Sequence, residues 1–421
     1  MGADTQIGIV GAGPAGARAA EGLAAMGVDV VMFDPRAPWE KPCGGGLTAA
    51  ALDTTPELME VAREGRTITS VRLESARTEV VVALDRPIHI VSRVELSRWH
   101  LERARRAGAA LERVAVRQIS RRADGGWELT TSDGRRTWVR HLVGADGAAS
   151  LVRKAVAPEL DIELAPARVA FVPGAGPAPS SMGLRFFRGV PGYAWDFPRS
   201  DHRSIGVGVA PGVWARPEMD AEVDRYRADL DSCICAPAPR AGAVIGTAAR
   251  PLGSRYHLLG RRDYALLGDA AGLADPATGE GIQNAIRSAD FLARAFEQEG
   301  NFASYAHLVE RNLEREFVLA RRVRRVLYSA SLAPRLIDLA ASHRWAYALL
   351  ATVVNGGNAH DPSLVRRFVV EWHRASPGWA GSAGGAVQGM RETVRDASQN
   401  VLANRLADAC STAGGCECRP S

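Results

Sequence analysis

The chain has 421 residues, 46% of them hydrophobic and 24% charged, with 52 basic and 47 acidic side chains and a formal net charge of +5. This length is enough for two or three domains and for a core that needs no disulfide or metal. The composition excludes a fibrous chain, a mini-scaffold and a wholly disordered protein, and the small net charge does not indicate a nucleic-acid partner.

The first predicted strand ends in a glycine-rich turn. Residues Gln6–Val10 form an apolar run that leads into Gly11-Ala-Gly13-Pro-Ala-Gly16 and then into an alanine-rich helix through about Met26. Gly11 permits the tight turn, Gly13 lets the backbone approach a pyrophosphate, and Gly16 lets helix and strand pack closely. The helix N-terminus offers unpaired N–H groups to phosphates.

A second strand and an acidic residue complete this pattern. Residues Asp29–Phe33 form another apolar run, and it ends in Asp34, whose carboxylate can bond ribose hydroxyls. Because strand, glycines, helix, strand and acid arrive in register, the N-terminal segment predicts a dinucleotide site.

A cysteine followed by three glycines comes shortly after the second strand. The segment reads Lys41-Pro-Cys43-Gly44-Gly45-Gly46. Three glycines in series let the backbone lie against a flat ring and place Cys43 beside that ring.

Two later strand-to-turn segments distinguish FAD from NAD. The first holds Asp146 in an Asp-Gly turn between a short apolar strand and a helix start, and the second holds Gly268-Asp269 after the strand that begins at Tyr264. Asp269, at a strand end, can accept a hydrogen bond from a ribityl hydroxyl. These segments predict that the dinucleotide is FAD.

The second segment continues into another glycine-containing helix start. Its residues are Pro276-Ala-Thr-Gly279-Glu-Gly281-Ile282. The glycines expose helix-start amides that can face the anionic N1–O2 edge of a reduced flavin. Arg93, at the head of a helix predicted over Val94–Ala107, is a candidate ligand of the pyrophosphate or of the flavin edge.

Strand-like stretches separate these nucleotide motifs. Residues Thr67–Ala76 and Thr78–Leu84 alternate apolar and polar side chains, and Arg168–Arg250 holds further strand-like runs, including Gly183–Phe187 and Ile205–Val209. Strands inserted between FAD segments predict a separate antiparallel sheet that roofs the flavin.

An aromatic motif lies in the second of these stretches. Tyr193-Ala-Trp195-Asp-Phe197-Pro is followed by Gly206-Val-Gly208. Alternation along a strand puts Tyr193, Trp195 and Phe197 on one side of it, where they would form one wall of a cavity.

The three nucleotide segments, in this order and spacing, resemble FAD-dependent oxidoreductases of the para-hydroxybenzoate hydroxylase structural class over roughly residues 5–295. The cysteine–glycine and aromatic motifs are similar to those of the geranylgeranyl reductase family, which saturates double bonds in isoprenoid chains with reduced FAD. One departure is Val190, where the family often has a proline; Pro191 lies one place later, so the shape of that loop is not predicted.

The resemblance implies an α/β fold, with a Rossmann-type FAD-binding domain interleaved with an antiparallel β-sheet substrate domain and followed by a C-terminal helical region. The predicted boundaries are 1–65, 90–165 and 250–295 for the FAD-binding domain, 66–89 and 166–249 for the substrate-binding sheet, and 296–421 for the helical region with a frayed tail. No single linker separates the domains.

The resemblance also implies the reaction: reduced FAD transfers a hydride to a C=C bond of a prenylated lipid, quinone or related hydrophobic compound. Tyr193 and Trp195 are candidates for stabilising positive charge on the substrate, and Phe197 extends the substrate wall. Cys43 relays or donates a proton, or simply fills space near the ring. The electron donor is left open between transiently docked NADPH and a ferredoxin-like protein, since only one dinucleotide fingerprint is present.

Two other interpretations stay open. A flavin monooxygenase of the hydroxylase or halogenase type uses the same scaffold on an apolar or aromatic substrate. A halogenase would need a lysine that forms a haloamine, and neither Lys41 nor Lys154, the two lysines of the chain, is placed for that by the sequence. The second is a non-catalytic flavoprotein that passes electrons to a quinone or a protein partner.

The sequence contains no run of about 18 apolar residues and no signal-peptide pattern, so we expect a cytoplasmic protein, with peripheral membrane contact allowed. The apolar segment Trp345–Val354 is either buried core or a shallow membrane contact. Cysteine spacing predicts no metal site. The cysteines with no predicted role are Cys233, Cys235, Cys410, Cys416 and Cys418.

Overall fold

Two β-sheets organise the chain in the computed structural model, which describes residues 5–173, 180–230, 238–328 and 332–355. The strands in these ranges are β1 (Thr5–Val10), β2 (Val30–Phe33), β3 (Gly46–Leu47), β4 (Arg66–Glu74), β5 (Glu79–Ile90), β6 (Ala110–Glu112), β7 (Val116–Arg121), β8 (Trp127–Thr131), β9 (Arg136–Gly144), β10 (Glu163–Pro173), β11 (Ser181–Phe186), β12 (Gly192–Pro198), β13 (His202–Val209), β14 (Arg240–Thr247), β15 (Gly260–Arg261) and β16 (Tyr264–Leu266). The α-helices are α1 (Pro14–Ala25), α2 (Ala49–Thr54), α3 (Met59–Ala62), α4 (Arg93–Arg106), α5 (Leu151–Val156), α6 (Arg216–Leu230), α7 (Ile282–Glu299), α8 (Tyr305–Leu327), α9 (Leu332–Ala340) and α10 (Arg344–Val354).

The first sheet has a parallel centre. Its order is β15-β16-β9-β1-β2-β6, and β16, β9, β1, β2 and β6 run in the same direction. The hairpin β7–β8 joins it through β9. All four residues of β2 are buried, as expected for a strand covered by helices on both faces. Helix α1 packs against α7 and α4 on one side of this sheet.

The second sheet has the order β14-β10-β13-β12-β11-β4-β5-β3. Its described strand pairs are antiparallel, as predicted, with one exception: β4 and β11 run parallel. These two strands come from separate stretches of chain. Since no hairpin turn connects them, nothing local imposes an antiparallel direction on the pair.

The two sheets take alternating segments of the chain, and helices α8–α10 follow them. The predicted α/β class is therefore confirmed: a Rossmann-type sheet is interleaved with a second sheet and followed by helices. Helices α9 and α10 pack on β4 and β5 through an apolar cluster that includes Leu336 and Leu350. The residue boundaries proposed for the domains stay a prediction.

Helix α10 corresponds to the apolar segment near residue 350. Its residues Ala346 and Leu350 are buried, whereas Tyr347 is exposed. Within the described ranges, no helix combines the length and the apolar character needed to cross a membrane. The cysteines with no predicted role, Cys233, Cys235, Cys410, Cys416 and Cys418, lie outside the described residues, as does the predicted frayed tail.

Candidate active site

A cavity of about 400 Å³ lies where the C-terminal ends of β1, β2, β9 and β16 meet the inner face of the second sheet. Ligands of open parallel sheets bind at this edge. The predicted site residues that line the cavity are Gly11, Gly13, Asp34, Cys43, Gly44, Arg93, Asp146, Tyr193, Trp195, Phe197, Asp269, Gly279, Gly281 and Ile282. Those that do not line it are Gly16, Gly45, Gly46, Gly268 and Pro276.

The turn between β1 and α1 leaves room for a bound group at one position. Gly11 has a φ of +97°, and a Cβ built on it would lie 2.3 Å from the Ala145 carbonyl oxygen. A Cβ on Gly16 would lie 1.9 Å from the Gly11 oxygen, so this glycine serves helix–strand packing. A Cβ on Gly13 would meet nothing within 4 Å. The backbone beside the cavity can therefore approach a pyrophosphate at Gly13, next to a helix N-terminus that no side chain caps.

Arg93 offers a second observation in favour of an anionic group. The side chain is 7% exposed and borders the cavity, and its Nε has no hydrogen-bond partner among the described residues. A buried guanidinium donor of this kind is costly unless a ligand satisfies it. The geometry at Gly13 and Arg93 thus fits the pyrophosphate or flavin of FAD.

Two of the predicted acidic ligands also hold the backbone of their own turns. Asp34 Oδ2 accepts from the Ala12 N–H at 3.0 Å, and its Oδ1 accepts from the Arg36 N–H at 2.9 Å. Asp146 accepts from the Leu151 N–H at 2.6 Å at the start of α5. Burial raises the pKa of Asp146 although these hydrogen bonds act to lower it. Both carboxylates line the cavity with part of their accepting capacity already used.

Asp269 forms an ion pair with Lys41, whose Nζ lies 3.0 Å from Asp269 Oδ2. Lys41 itself lines the cavity, which its place in the sequence did not indicate. The ammonium is held by the carboxylate that was predicted to accept from the ribityl chain. Across the described ranges, no group of three or more His, Cys, Asp or Glu side chains could hold a metal ion.

Cys43 lies among positive charges. Burial acts to raise the pKa of its thiol, but the cations around it outweigh burial and bring that pKa below its ordinary value; they are Arg93, Arg199 and Lys41. The Gly45 N–H also donates to Cys43 Sγ at 3.3 Å, which favours the thiolate.

The three aromatic residues of β12 line the cavity on one face of that strand, as their spacing predicts. The ring centroids of Tyr193 and Trp195 are 6.2 Å apart. The Trp195 Nε1–H donates to Ser204 Oγ at 3.3 Å, and the Tyr193 hydroxyl donates to the Thr278 carbonyl. Burial raises the pKa of Tyr193, so this phenol stays protonated at neutral pH.

The segment from Asp275 to Gly281 is held from several elements, which the sequence did not reveal. The Tyr328 hydroxyl on the chain after α8 donates to the Ala277 carbonyl at 2.8 Å. Glu280 accepts from Thr48 Oγ1 at 3.4 Å. Burial and the nearby Asp275 raise the pKa of Glu280 to about 7.

A buried ion pair beside the cysteine–glycine segment was also missed. Arg199 is wholly buried and pairs with Glu40. Each residue directly adjoins a motif: Arg199 follows Phe197-Pro198, and Glu40 precedes Lys41. The sequence feature that could have indicated this pair is the presence of opposite charges next to the two motifs. A charge beside an apolar motif needs a partner if it is buried.

A parallel sheet with a glycine turn at its ligand-binding edge, and a second sheet over the cavity, define this protein as an FAD-dependent oxidoreductase. Residues 4–174 match the family described as FAD binding domain. The geranylgeranyl diphosphate reductase of Rhodobacter capsulatus is 30% identical over 306 residues, which are 68% of this chain and 73% of that protein. The chain therefore belongs to the geranylgeranyl reductase family, and its cofactor is FAD.

Other relatives and solved structures extend the comparison. The menaquinone reductase of Mycobacterium tuberculosis is 28% identical over 345 residues, covering 75% of this chain and 82% of that one. The structure of a geranylgeranyl bacteriochlorophyll reductase-like protein from Thermoplasma acidophilum has a TM-score of 0.70 at 19% identity, over 87% of this chain and 98% of the other. PqsL, a probable FAD-dependent monooxygenase from Pseudomonas aeruginosa, has a TM-score of 0.58 at 19% identity. The match covers 79% of this chain and 98% of PqsL. These two structures share the fold.

Proposed function

We propose that this protein reduces C=C bonds of an isoprenoid chain on a lipid, quinone or related prenyl compound. The observation that carries the proposal is the aromatic wall of Tyr193, Trp195 and Phe197, which lines the same cavity as Cys43 and the glycine turn for FAD. Aliphatic residues of the second sheet, such as Ile245, extend this wall. The names of two relatives, geranylgeranyl diphosphate reductase and menaquinone reductase, support a prenylated substrate.

The proposed reaction requires the cavity wall to stabilise positive charge on the substrate. Reduced FAD supplies the hydride when it is bound. An isolated trisubstituted alkene is a poor hydride acceptor, so a proton must reach one carbon while positive charge develops at the tertiary carbon beside it. Tyr193 and Trp195 line the cavity, so their rings are the candidates for this role. An aromatic face stabilises a desolvated cation by about 2 kcal/mol.

We assign the proton to Cys43 rather than to Tyr193. The cations around it lower the pKa of the Cys43 thiol below its ordinary value, which favours exchange of its proton. The Tyr193 hydroxyl already donates to the Thr278 carbonyl, and burial raises its pKa. Tyr193 lines the cavity, while its hydroxyl holds the 275–281 segment.

The test is an anaerobic single turnover. The bound FAD is reduced with dithionite, excess reductant is removed, and a geranylgeranyl compound is added while flavin absorbance is followed. A reductase reoxidises its flavin without oxygen, and mass spectrometry finds two added hydrogens for each saturated bond. Turnover only in the presence of oxygen, with a hydroxylated product, would indicate a monooxygenase. Reoxidation of the flavin only by a quinone or a protein partner would indicate an electron-transfer protein.

The physiological electron donor and the membrane contact belong to the same proposal. We propose that the donor, NADPH or a ferredoxin-like protein, reaches the flavin transiently. We also propose that a prenyl substrate enters from lipid, with the exposed Tyr347 of α10 at the membrane surface. Vesicle flotation with wild-type protein and Tyr347→Ser tests the second point, since loss of flotation in the variant alone is the expected result.

A further inference from the structure

The buried Arg199 guanidinium fixes the backbone of the cysteine–glycine segment. Its Nη2 donates to the Cys43 carbonyl at 2.5 Å and approaches the Gly44 carbonyl at 3.5 Å, while its Nη1 pairs with Glu40. The residue has no exposed surface. A guanidinium fork that binds a carboxylate and backbone carbonyls together holds its partners in one geometry.

Glu40 ties this pair to the start of α4. Its carboxylate accepts from Ser92 Oγ at 2.9 Å and from the Arg93 and Val94 N–H groups, each at 3.2 Å. A carboxylate at a helix N-terminus is stabilised by the helix dipole. Burial opposes the effect, but Arg199 and these hydrogen bonds lower the pKa of Glu40, so it stays charged. The helix that presents Arg93 to the cavity is thereby connected to the segment that presents Cys43.

The Cys43 carbonyl has a second donor that leads to the aromatic wall. Ser204 Oγ donates to it at 3.1 Å, and the Trp195 indole N–H donates to the same Ser204 oxygen at 3.3 Å. One carbonyl oxygen therefore connects Arg199, the substrate wall and Cys43. The sheet residues on this path come from β12 and β13 and the turn between them.

We propose that Arg199 is a positioning residue for Cys43: its guanidinium holds the Cys43 backbone beside the aromatic wall. Because the guanidinium is also a cation close to the thiol, it favours the thiolate, and its partner Glu40 offsets part of that charge. This inference rests on the proposed function only in taking Cys43 as the proton carrier. The charged and titratable groups that surround the thiol come from separate elements: Lys41 with its partner Asp269, Arg93 at the start of α4, Arg199 with Glu40, and Tyr193 on β12.

Substitutions of Arg199 and of Glu40 are predicted to shift the titration of the Cys43 thiol in opposite directions. Arg199→Met removes a cation next to Cys43, so the titration of the Cys43 thiol moves to higher pH. Glu40→Gln keeps a hydrogen-bonding side chain of the same shape but leaves Arg199 uncompensated, so the titration moves to lower pH. A purely structural loosening of the segment would instead move both variants in one direction, towards the ordinary thiol value.

The experiment measures alkylation of Cys43 by iodoacetamide between pH 5 and 10 in the FAD-loaded full-length protein. Peptide mass spectrometry isolates Cys43 from the other five cysteines of the chain. Below the titration midpoint we expect about tenfold slower alkylation in Arg199→Met, the effect of a shift of about one pH unit. Arg199→Lys, which keeps the charge, restores the wild-type profile. The matched control is Arg203→Met, because Arg203 pairs with the buried Asp196 and is not among the cations that lower the pKa of Cys43.

Coincident profiles for wild type and Arg199→Met, or shifts of the same sign in Arg199→Met and Glu40→Gln, overturn the proposal. If Arg199→Met does not fold, Glu40→Gln alone decides: a shift to lower pH supports the proposal and any other result contradicts it. The measurement needs no prenyl substrate. Failure of the anaerobic turnover would therefore leave this result standing, and the reverse also holds.

Discussion

Gly44 lies directly against the ring of Phe197. A Cβ built on Gly44 would fall 2.2 Å from two carbons of that ring, closer than any real packing contact. The two residues belong to different sequence motifs that are far apart in the chain. The glycine therefore has a steric role toward Phe197, in addition to any contact with a flavin.

Gly44→Ala is predicted to lower the free energy of unfolding by about 1–3 kcal/mol, because the added methyl group must displace Phe197 or its own backbone. In a Phe197→Ala background the ring is gone, so most of that cost should disappear. Denaturant unfolding of the four proteins of this double-mutant cycle measures the coupling. Gly46→Ala is the matched control, since its Cβ would make only ordinary contacts with Ile90 and Ile88. Equal costs of Gly44→Ala in both backgrounds would contradict the contact.

Arg93→Met is predicted to weaken FAD binding by about 10-fold to 100-fold. A hydrogen bond from a buried guanidinium to a charged group is worth about 1.5–3 kcal/mol, and Arg93 Nε has no partner among the described residues. Equilibrium titration of the flavin-free protein with FAD, followed by flavin fluorescence, gives the dissociation constant. Arg98→Met is the control on the same helix, because Arg98 is exposed and pairs with Glu95. The same affinity in both variants would remove Arg93 from the cofactor site.

Substitution of Tyr193 separates its ring from its hydroxyl. Tyr193→Leu is predicted to slow anaerobic flavin reoxidation by a prenyl substrate about 30-fold, the effect of losing about 2 kcal/mol of aromatic stabilisation. Tyr193→Phe keeps the ring and should retain most of that rate, losing only the hydrogen bond to the Thr278 carbonyl. Stopped-flow absorbance checks both. A Phe variant as slow as the Leu variant would show that the hydroxyl is what the reaction requires.

Local chemistry explains which features could be predicted from the sequence. The turn after β1 needs glycine at positions that neighbouring residues dictate, and alternation along β12 puts its three aromatic residues on one face. These are short-range constraints, visible within a few residues. The fold class and the lining of the cavity by every motif follow from them and from the order of the motifs.

Contacts between distant segments could not be predicted in this way. Arg199 and Glu40 are 159 positions apart, and Lys41 and Asp269 are 228 apart. Nothing in the periodicity of either segment indicates its partner, since an ion pair of this kind requires only that folding bring two charges together. The parallel pairing of β4 with β11 could not be predicted for the same reason, because these strands are also distant in sequence.

His100 is a buried base that the described structure leaves without a hydrogen-bond partner. It is 1% exposed on α4, and neither ring nitrogen has a partner among the described residues. Burial, together with Arg18, Arg93 and Arg103, lowers the pKa of His100 to about 3. The folded protein therefore keeps this imidazole neutral at pH values where the unfolded chain takes up a proton.

This difference predicts a loss of stability in acid. The unfolded-state pKa of histidine is about 6.5, so the contribution is fully present above that pH and is lost as the pH falls towards 3. At pH 5 the free energy of unfolding is lower by about 2 kcal/mol because of this group. His100→Leu removes the titrating group, so its free energy of unfolding should fall about 2 kcal/mol less than that of the wild type between pH 7.5 and pH 5, as measured by urea unfolding. The control is His257→Asn, which removes a histidine at an exposed position. If His100→Leu and wild type lose stability equally, protonation of His100 does not contribute to acid unfolding.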